Sequence, residues 1–246
     1  MPNIDPEPQT RLLAVTFALP EESKDFVAKL RKARVLETGA LPVISGELDG
    51  RQIAICHTGV GAESCRTRFI SFLQEHRPQC LISSGFAGGL DPALKVGDIV
   101  IAGNFSDKSL LAGVTISNAI RGTMSTQAQV AETAADKAAL FSQTHASAVD
   151  METAVIFELC SQRGIPMISL RGISDSAPDD LPVSFSIWFD AEKQKPRVGA
   201  LIWELATHPA KIPAFAKFVR GITSTRERLT KELMALTEDL GRLKQP

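Results

Sequence analysis

Apolar residues fall in short blocks along the chain, and the spacing within each block predicts its secondary structure. Residues 11–18 (RLLAVTFA) form an apolar run rich in β-formers and closed by Pro20, which predicts a buried strand. Pro20 followed by Glu21 and Glu22 marks a helix start, and Phe26, Val27 and Leu30 continue at helical spacing. Residues 43–48 and 52–58 flank Asp49-Gly50, a strong hairpin signal. The second arm runs into Gly59-Val60-Gly61 and then a helix over 62–75. A buried strand over 80–84 feeds the glycine-rich stretch 85–89 (GFAGG). Further strands are predicted over 96–102, 119–122 (weakly), 146–149 and 166–173, and helices over 133–141 and 151–163. Strands alternating with helices after one early hairpin predict an α/β fold around a central mixed sheet.

The polar residues that interrupt this pattern gather where strands end: Glu22, residues 59–61, 85–89, 150–152 and 171–175. In open α/β sheets ligands bind beyond the carboxyl ends of the strands, so the clustering is itself a site prediction.

The C-terminal part has another rhythm. Ile212, Phe215, Val219, Ile222, Arg226, Leu229, Leu233, Leu236, Leu240 and Leu243 recur at alternating spacings of 3 and 4, a heptad-like seam with one charged interruption. Charge divides at the same place. The 246-residue chain has 27 Lys/Arg and 28 Asp/Glu, but residues 1–192 carry −7 and residues 193–246 carry +6. Three regions are therefore expected: a disordered leader over 1–10, an α/β domain over 11–192, and a basic amphipathic helical extension over 193–246, packed on the domain or on an oligomer partner. The near-neutral total excludes a strongly basic nucleic-acid footprint. The polar opening MPNIDPEPQT resembles no secretory signal, no apolar run reaches about 18 residues, and a cytoplasmic location is expected. Cys56, Cys65, Cys80 and Cys160 show no CxxC spacing and are expected as buried reduced thiols. Tyrosine is absent, which removes phenol chemistry.

Several residues carry candidate chemistry. Gly59-Val60-Gly61 lacks both the third glycine of a dinucleotide fingerprint and the Lys-Ser/Thr of a P-loop. The denser 85–89 stretch lets backbone approach a ligand and aim amides at it. No G-x-S-x-G elbow is present. Asp150 suits a helix N-cap, and Glu152 would lie on the first turn, where it complements the helix dipole. Arg171 and Asp175, near one strand end, form either a simple ion pair or part of a site. His57, His76, His145 and His208 have no metal-ligand spacing and are expected to be structural or exposed, so neither metal nor cofactor is expected.

Taken in order, ALPEE (18–22), GVG (59–61), SGFAGGL with DPALKVGDIV (84–100), AVDMETA (148–154) and IPMISLRGISD (165–175) resemble the nucleoside phosphorylase and nucleosidase superfamily. The nearest branch is the 5′-methylthioadenosine/S-adenosylhomocysteine nucleosidases. The motifs span residues 11–180. The resemblance implies a three-layer α/β/α sandwich around a twisted mixed sheet, a homo-oligomer, and cleavage of a purine nucleoside at its N-glycosidic bond. It matches Asp175 to the aspartate that protonates purine N7, Ser174 to the residue that orients it, and Arg171 to a supporting arginine. Glu152 matches the glutamate that holds the ribose hydroxyls, with Met151 under the sugar. Glu22 matches the glutamate that activates water, and Glu21 is the neighbouring alternative. Gly61, Gly85, Phe86 and Ala87 are matched to the substrate-binding lining, and Ser125 and Thr126 fall where base contacts are needed. These residue types suit the reaction. Bond breaking builds an oxocarbenium-like sugar and an anionic base, so one carboxyl group must deliver a proton and another must deprotonate water.

Three departures from the family pattern stand out. Phe86 replaces a small hydroxyl residue, and no arginine follows the first strand as in many phosphorylases. Both favour hydrolysis, while Arg66 and Arg68 keep phosphate open as co-substrate. Only 51 residues separate Asp98 from Asp150, so the segment that usually contacts the base and the 5′-tail is short. The tail sequence WELATHPAKIPAFAKFVR resembles that of hopanoid-associated phosphorylases, which act on an adenosyl-lipid. A basic amphipathic helix suits a membrane surface, an oligomer contact or packing on the domain. A nucleosidase is therefore expected. The alternatives are a phosphorylase, including one for an adenosyl-lipid, and a non-catalytic nucleoside-binding protein.

Overall fold

A computed structural model describes residues 12–37, 41–115 and 118–242. The expected leader over 1–10 and Leu243 lie outside the described residues. In chain order the elements are β1 (Leu13–Phe17), α1 (Pro20–Val27), β2 (Arg31–Leu36), β3 (Val43–Leu48), β4 (Arg51–His57), α2 (Ala62–Glu75), β5 (Cys80–Gly89), β6 (Ile99–Ala102), α3 (Lys108–Gly113), β7 (Ala119–Gly122), β8 (Met124–Thr126), α4 (Ala134–Thr144), β9 (Ala148–Asp150), α5 (Thr153–Ser161), β10 (Met167–Asp175), α6 (Phe185–Trp188), β11 (Phe189–Asp190), β12 (Lys195–Pro196), α7 (Val198–Thr207) and α8 (Ile212–Arg242).

Ten strands form one mixed sheet in the order β2-β3-β4-β1-β5-β10-β6-β7, with β9 added to the end of β5 and β8 to β9. The central strands β4, β1, β5 and β10 run parallel. Residue alternation on these strands builds two apolar layers. Leu13, Val15, Phe17, Ile53, Ile55, Ile82, Ile168 and Leu170 face α1, α3 and α8. Ala14, Ala54, Cys56, Leu81 and Met167 face α2 and α5. The result is the α/β/α sandwich expected from the sequence.

The sheet also contains strands that hydropathy does not mark. β2 is an edge strand with five of its six residues exposed, and Arg31, Lys32 and Arg34 give it a charged rim. It exists because it pairs with β3, not because it buries an apolar face. Helix α1 stops at Val27 instead of reaching Leu30, and α5 begins at Thr153, two residues after the predicted start. All four cysteines are buried and unpaired, as expected. Among the described residues no helix is long and apolar enough to cross a membrane.

The heptad-like seam divides within α8. Leu229, Leu233, Leu236 and Leu240 are buried in the layer that also holds Leu13 and Val15. The charged interruption, Arg226, meets Asp25 of α1 at 2.8 Å. Ile212 and Val219, by contrast, stay exposed. Between Val198 and Ser224 no residue is buried, although α7 and the start of α8 are rich in apolar side chains. The second half of α8 therefore belongs to the core of the domain. Truncating its fully buried Leu233 to Ala should cost about 2–5 kcal/mol, read as a lower denaturant midpoint with an unchanged slope.

Candidate active site

The site forms around the carboxyl end of β5. Leu81 to Ser83 are locked between β1 and β10, and beyond the reach of β1 its last two residues pair with β9, while Gly88 still faces Asp175 of β10 across a register shift. The bend brings the glycine-rich segment against three acidic residues from three other parts of the chain.

Glu22 comes from the first turn of α1. Its Oε2 accepts the backbone N–H groups of Ala18 (2.8 Å) and Leu19 (3.0 Å), and Oε1 accepts that of Phe86 (3.2 Å). Gly85 makes this possible. A Cβ built there would lie 3.2 and 3.3 Å from the two carboxylate oxygens, and φ at Gly85 is +143°. Burial pushes the Glu22 carboxyl above its ordinary range, against the lowering effect of the backbone N–H groups and the Arg171 charge. Glu21 points elsewhere and pairs with Lys24 on the surface.

Glu152 stands at the N-cap of α5, with Oε1 accepting the Gly61 N–H at 2.6 Å. Burial and then the neighbouring Asp150 charge push its carboxyl up to about 8. Met151 lies beside Gly61, its methyl group within van der Waals reach of a Cβ built at that glycine. Glu22, Glu152, Gly85, Phe86 and Arg171 line one cleft together with Thr16, Thr58 and Ser84. The hydroxyls of Thr16 and Ser84 are buried there without a protein partner.

Asp175 ends β10. Ser174 Oγ lies 2.6 Å from Asp175 Oδ1 and 3.2 Å from the Ala87 carbonyl, so one hydroxyl ties β10 to β5 and steadies the carboxylate. Gly88 leaves room for Asp175, since a Cβ there would lie 3.3 Å from Oδ2.

Arg171 and Asp175 do not form an ion pair with each other. Arg171 pairs instead with Asp150, with Nε and Nη2 both 3.1 Å from Oδ2. Nη2 also donates to Ser83 and Thr153 at 2.8 Å, and Nη1 donates to the Leu170 carbonyl at 3.2 Å. Asp150 acts near the helix start as expected, accepting the Thr153 N–H and hydroxyl, although the cap position itself is taken by Glu152. Thr126 is drawn into the same network. Its hydroxyl donates to Asp150 Oδ1 at 2.9 Å and accepts the Ala154 N–H. Ser125 Oγ accepts from the side chain of Gln127.

Two contributors carry no sequence signal of their own. Lys137, the single buried residue of α4, reaches Asp175 Oδ2 at 2.5 Å. Gln194 brackets Val60 from 134 residues away, accepting its N–H at 2.7 Å and donating to its carbonyl at 3.0 Å. His57 is structural. It bonds Ser23 Oγ at 2.8 Å, and burial lowers its imidazole to about 4, which keeps it neutral. Among the described residues no group of three His, Cys, Asp or Glu side chains is arranged to hold a metal ion.

Comparison with solved structures finds the same architecture elsewhere. The 5′-methylthioadenosine/S-adenosylhomocysteine nucleosidase of Colwellia psychrerythraea 34H, solved with adenine, superposes with a TM-score of 0.72 at 19% identity, over 96% of this chain and 99% of that one. The corresponding nucleosidase of Neisseria meningitidis, solved with methylthio-immucillin-A, gives 0.70 at 19% identity over 93% and 99%. Futalosine hydrolase of Helicobacter pylori strain 26695 gives 0.70 at 18% identity over 93% and 98%. At these identities the likeness is one of fold. The sequence model of the phosphorylase superfamily matches residues 12–122 and 113–206, which include the segments that supply Glu22, Glu152, Arg171 and Asp175. With most of its length matched, the chain belongs to the phosphorylase superfamily.

Proposed function

We propose that the chain is an enzyme that hydrolyses the N-glycosidic bond of a purine nucleoside of the adenosine type. The observation that carries this reading is the gathering of three acidic side chains at one strand end. Glu22 rests on Gly85 and Asp175 rests on Gly88 of the same strand, while Glu152 takes the Gly61 amide. The two glycines stand about 10 Å apart along the strand, so the water-activating carboxylate and the proton donor to the base approach it at different points. Glu22 deprotonates the water, Glu152 accepts the ribose hydroxyls, and Asp175 delivers a proton to the departing base. Adenine in the Colwellia structure supports an adenine-type leaving group.

Electrostatics favour water over phosphate as the nucleophile. Two of the side chains lining the cleft are acidic, and its one cation, Arg171, is already engaged by Asp150 and its neighbours. Arg66 is also spent, on Glu158 at 2.6 Å. Arg68 does not line the cleft, so a phosphate ion there would face carboxylates with no unengaged cation among the lining residues. In a panel of purine nucleosides, base should be released at the same rate in phosphate-free and phosphate buffer, with free ribose as co-product. Asp175→Asn should lower kcat by about 10²–10⁴. Turnover that requires phosphate, or an unaltered Asp175→Asn, contradicts the reading.

Binding should follow the state of Glu152. Its raised carboxyl holds a proton at neutral pH, while ribose hydroxyls are donors and need the ionised form. Below about pH 8 binding must therefore release a proton, and affinity must rise with pH. The nucleoside Kd is expected to fall by up to about tenfold per unit between about pH 6 and 8, and Glu152→Gln should flatten the profile. A wild-type Kd independent of pH across that range contradicts the role.

We place the protein in the cytoplasm, with the helical pair α7 and early α8 as its contact with an anionic lipid surface. Ile202 and Trp203 are 63% and 73% exposed, with Val198, Ile212 and Val219 beside them in sequence. Residues 192–220 carry six cations against Glu192 and Glu204; Lys211 is paired with Glu204 at 2.7 Å and Arg197 with Asp190 at 2.9 Å, and Lys193, Lys195, Lys217 and Arg220 remain. An apolar face with an exposed tryptophan and a cationic surround suits a bilayer interface. The full chain should co-sediment with phosphatidylserine-rich vesicles and not with phosphatidylcholine alone. Trp203→Ser should reduce binding by about tenfold. Absence of vesicle binding, or a homo-oligomer that buries Trp203 in solution, overturns this assignment.

A further inference from the structure

The one buried side chain of α4 is a lysine, and the roles assigned above leave it unused. Lys137 is fully buried. Its Nζ lies 2.5 Å from Asp175 Oδ2, 2.7 Å from the Asp179 carbonyl and 3.1 Å from the Ser176 carbonyl. Three acceptors use the three N–H bonds of an ammonium ion. A neutral amine has two, and would turn its lone pair on one of these oxygens. The site is therefore built for the charged lysine.

This arrangement changes what Asp175 can do alone. Oδ2 receives the Lys137 ammonium and Oδ1 the Ser174 hydroxyl. A donor stands at each oxygen, so the nearest source of a proton that the carboxyl group could pass to a base is the Lys137 ammonium on Oδ2. The neighbouring carboxylates have other partners. Asp179 is bonded by Ser176 Oγ, Asp180 accepts the Ala134 N–H at 2.7 Å, and Asp136 caps its own helix at Thr133. Among the described residues Asp175 is the acidic side chain within salt-bridge reach of Lys137.

The geometry points to Lys137 as the proton-supplying and positioning residue behind Asp175, an inference that rests on the hydrolytic reading above. As the glycosidic bond breaks, its electron pair passes to the purine. The purine nitrogen takes a proton from the Asp175 carboxyl group, and that proton has come from Lys137 Nζ to Oδ2. The Nζ–H electron pair remains on nitrogen as a neutral amine. Water adds to the sugar and gives its own proton to Glu22. After the products leave, solvent removes the Glu22 proton and restores the ammonium, so the cycle consumes only nucleoside and water. Lys137 also ties residues 176–179 to α4 and so fixes the chain beyond β10.

Substituting Lys137 by Met and by Arg tests this on the nucleoside the wild type cleaves best, with folding checked by thermal unfolding. Methionine removes the charge. Arginine keeps it, but a guanidinium does not give up a proton in proteins. Both variants should lose about 100-fold or more in kcat with KM within about threefold. Wild-type kcat should stay level from about pH 7 to 9, because a lysine backs the acid, while in Lys137→Met it should fall about tenfold per unit over that range. An Arg variant that keeps more than about a third of wild-type kcat shows that charge suffices and overturns the relay. So do Met and wild-type profiles of the same shape. Where neither variant folds, the wild-type profile decides, and a fall of about tenfold per unit from below pH 7 overturns the proposal. Wild type with no turnover on any nucleoside removes the hydrolytic reading itself, an outcome distinct from these.

Discussion

The buried pair between Arg171 and Asp150 is the interaction on which the geometry of the site depends. Two opposite charges taken out of water are costly unless every donor and acceptor around them is satisfied. Here nearly all are, by Ser83 of β5, Thr153 of α5, Thr126 of β8 and the Leu170 carbonyl. Five elements, β5, β8, β9, β10 and α5, meet at one guanidinium and one carboxylate. Glu152 follows Asp150 by two residues, so the pair also fixes where the Glu152 carboxylate stands. Arg171 sets the strand ends in place and lends its charge to Glu22 and Glu152.

Around that fixed point, β5 works in two halves. Its first half is ordinary core strand, locked by parallel partners on both sides. Its second half has little side chain, and the space left over is filled by carboxylates from α1 and β10. Acidic groups brought together out of water raise one another's proton affinity, and burial adds to the effect. At Glu22 burial alone raises the carboxyl, and at Glu152 burial leads and the Asp150 and Glu22 charges add to it. The protein thus concentrates acidic groups where the sheet can spare room for them.

Much of this was legible in the sequence, because strand ends marked by glycine and acidic residues are chemically unusual. Glu22, Glu152, Ser174 and Asp175 stand out in short motifs next to strands. Partnership was less legible. Arg171 and Asp175 share a strand end, yet the arginine belongs to Asp150, because the network around Asp150 satisfies its donors. Lys137 sits in AADKAAL, which reads as a solvated helical turn, and only tertiary packing turns it inward. β2 carries three cations and gains its strand character from β3 alone. The α8 seam was visible as a period, but a period does not say that Leu229–Leu240 meets a sheet while Ile212 and Val219 meet none.

The buried cysteines have a consequence for how the folded molecule meets its chemical surroundings. Burial pushes the thiols of Cys56 and Cys160 up to about 12, and that of Cys65 higher still, so almost none is present as thiolate at neutral pH. Thiolate is the form that electrophiles and oxidants attack. The native chain is thus shielded twice, by lack of access and by lack of the reactive species. Cys56 and Cys65 lie in one apolar layer with Cys160, under α2 and α5. Alkylation of these three sulfurs is therefore tied to separation of that layer, and modification rate becomes a measure of how often the sheet and its helices part.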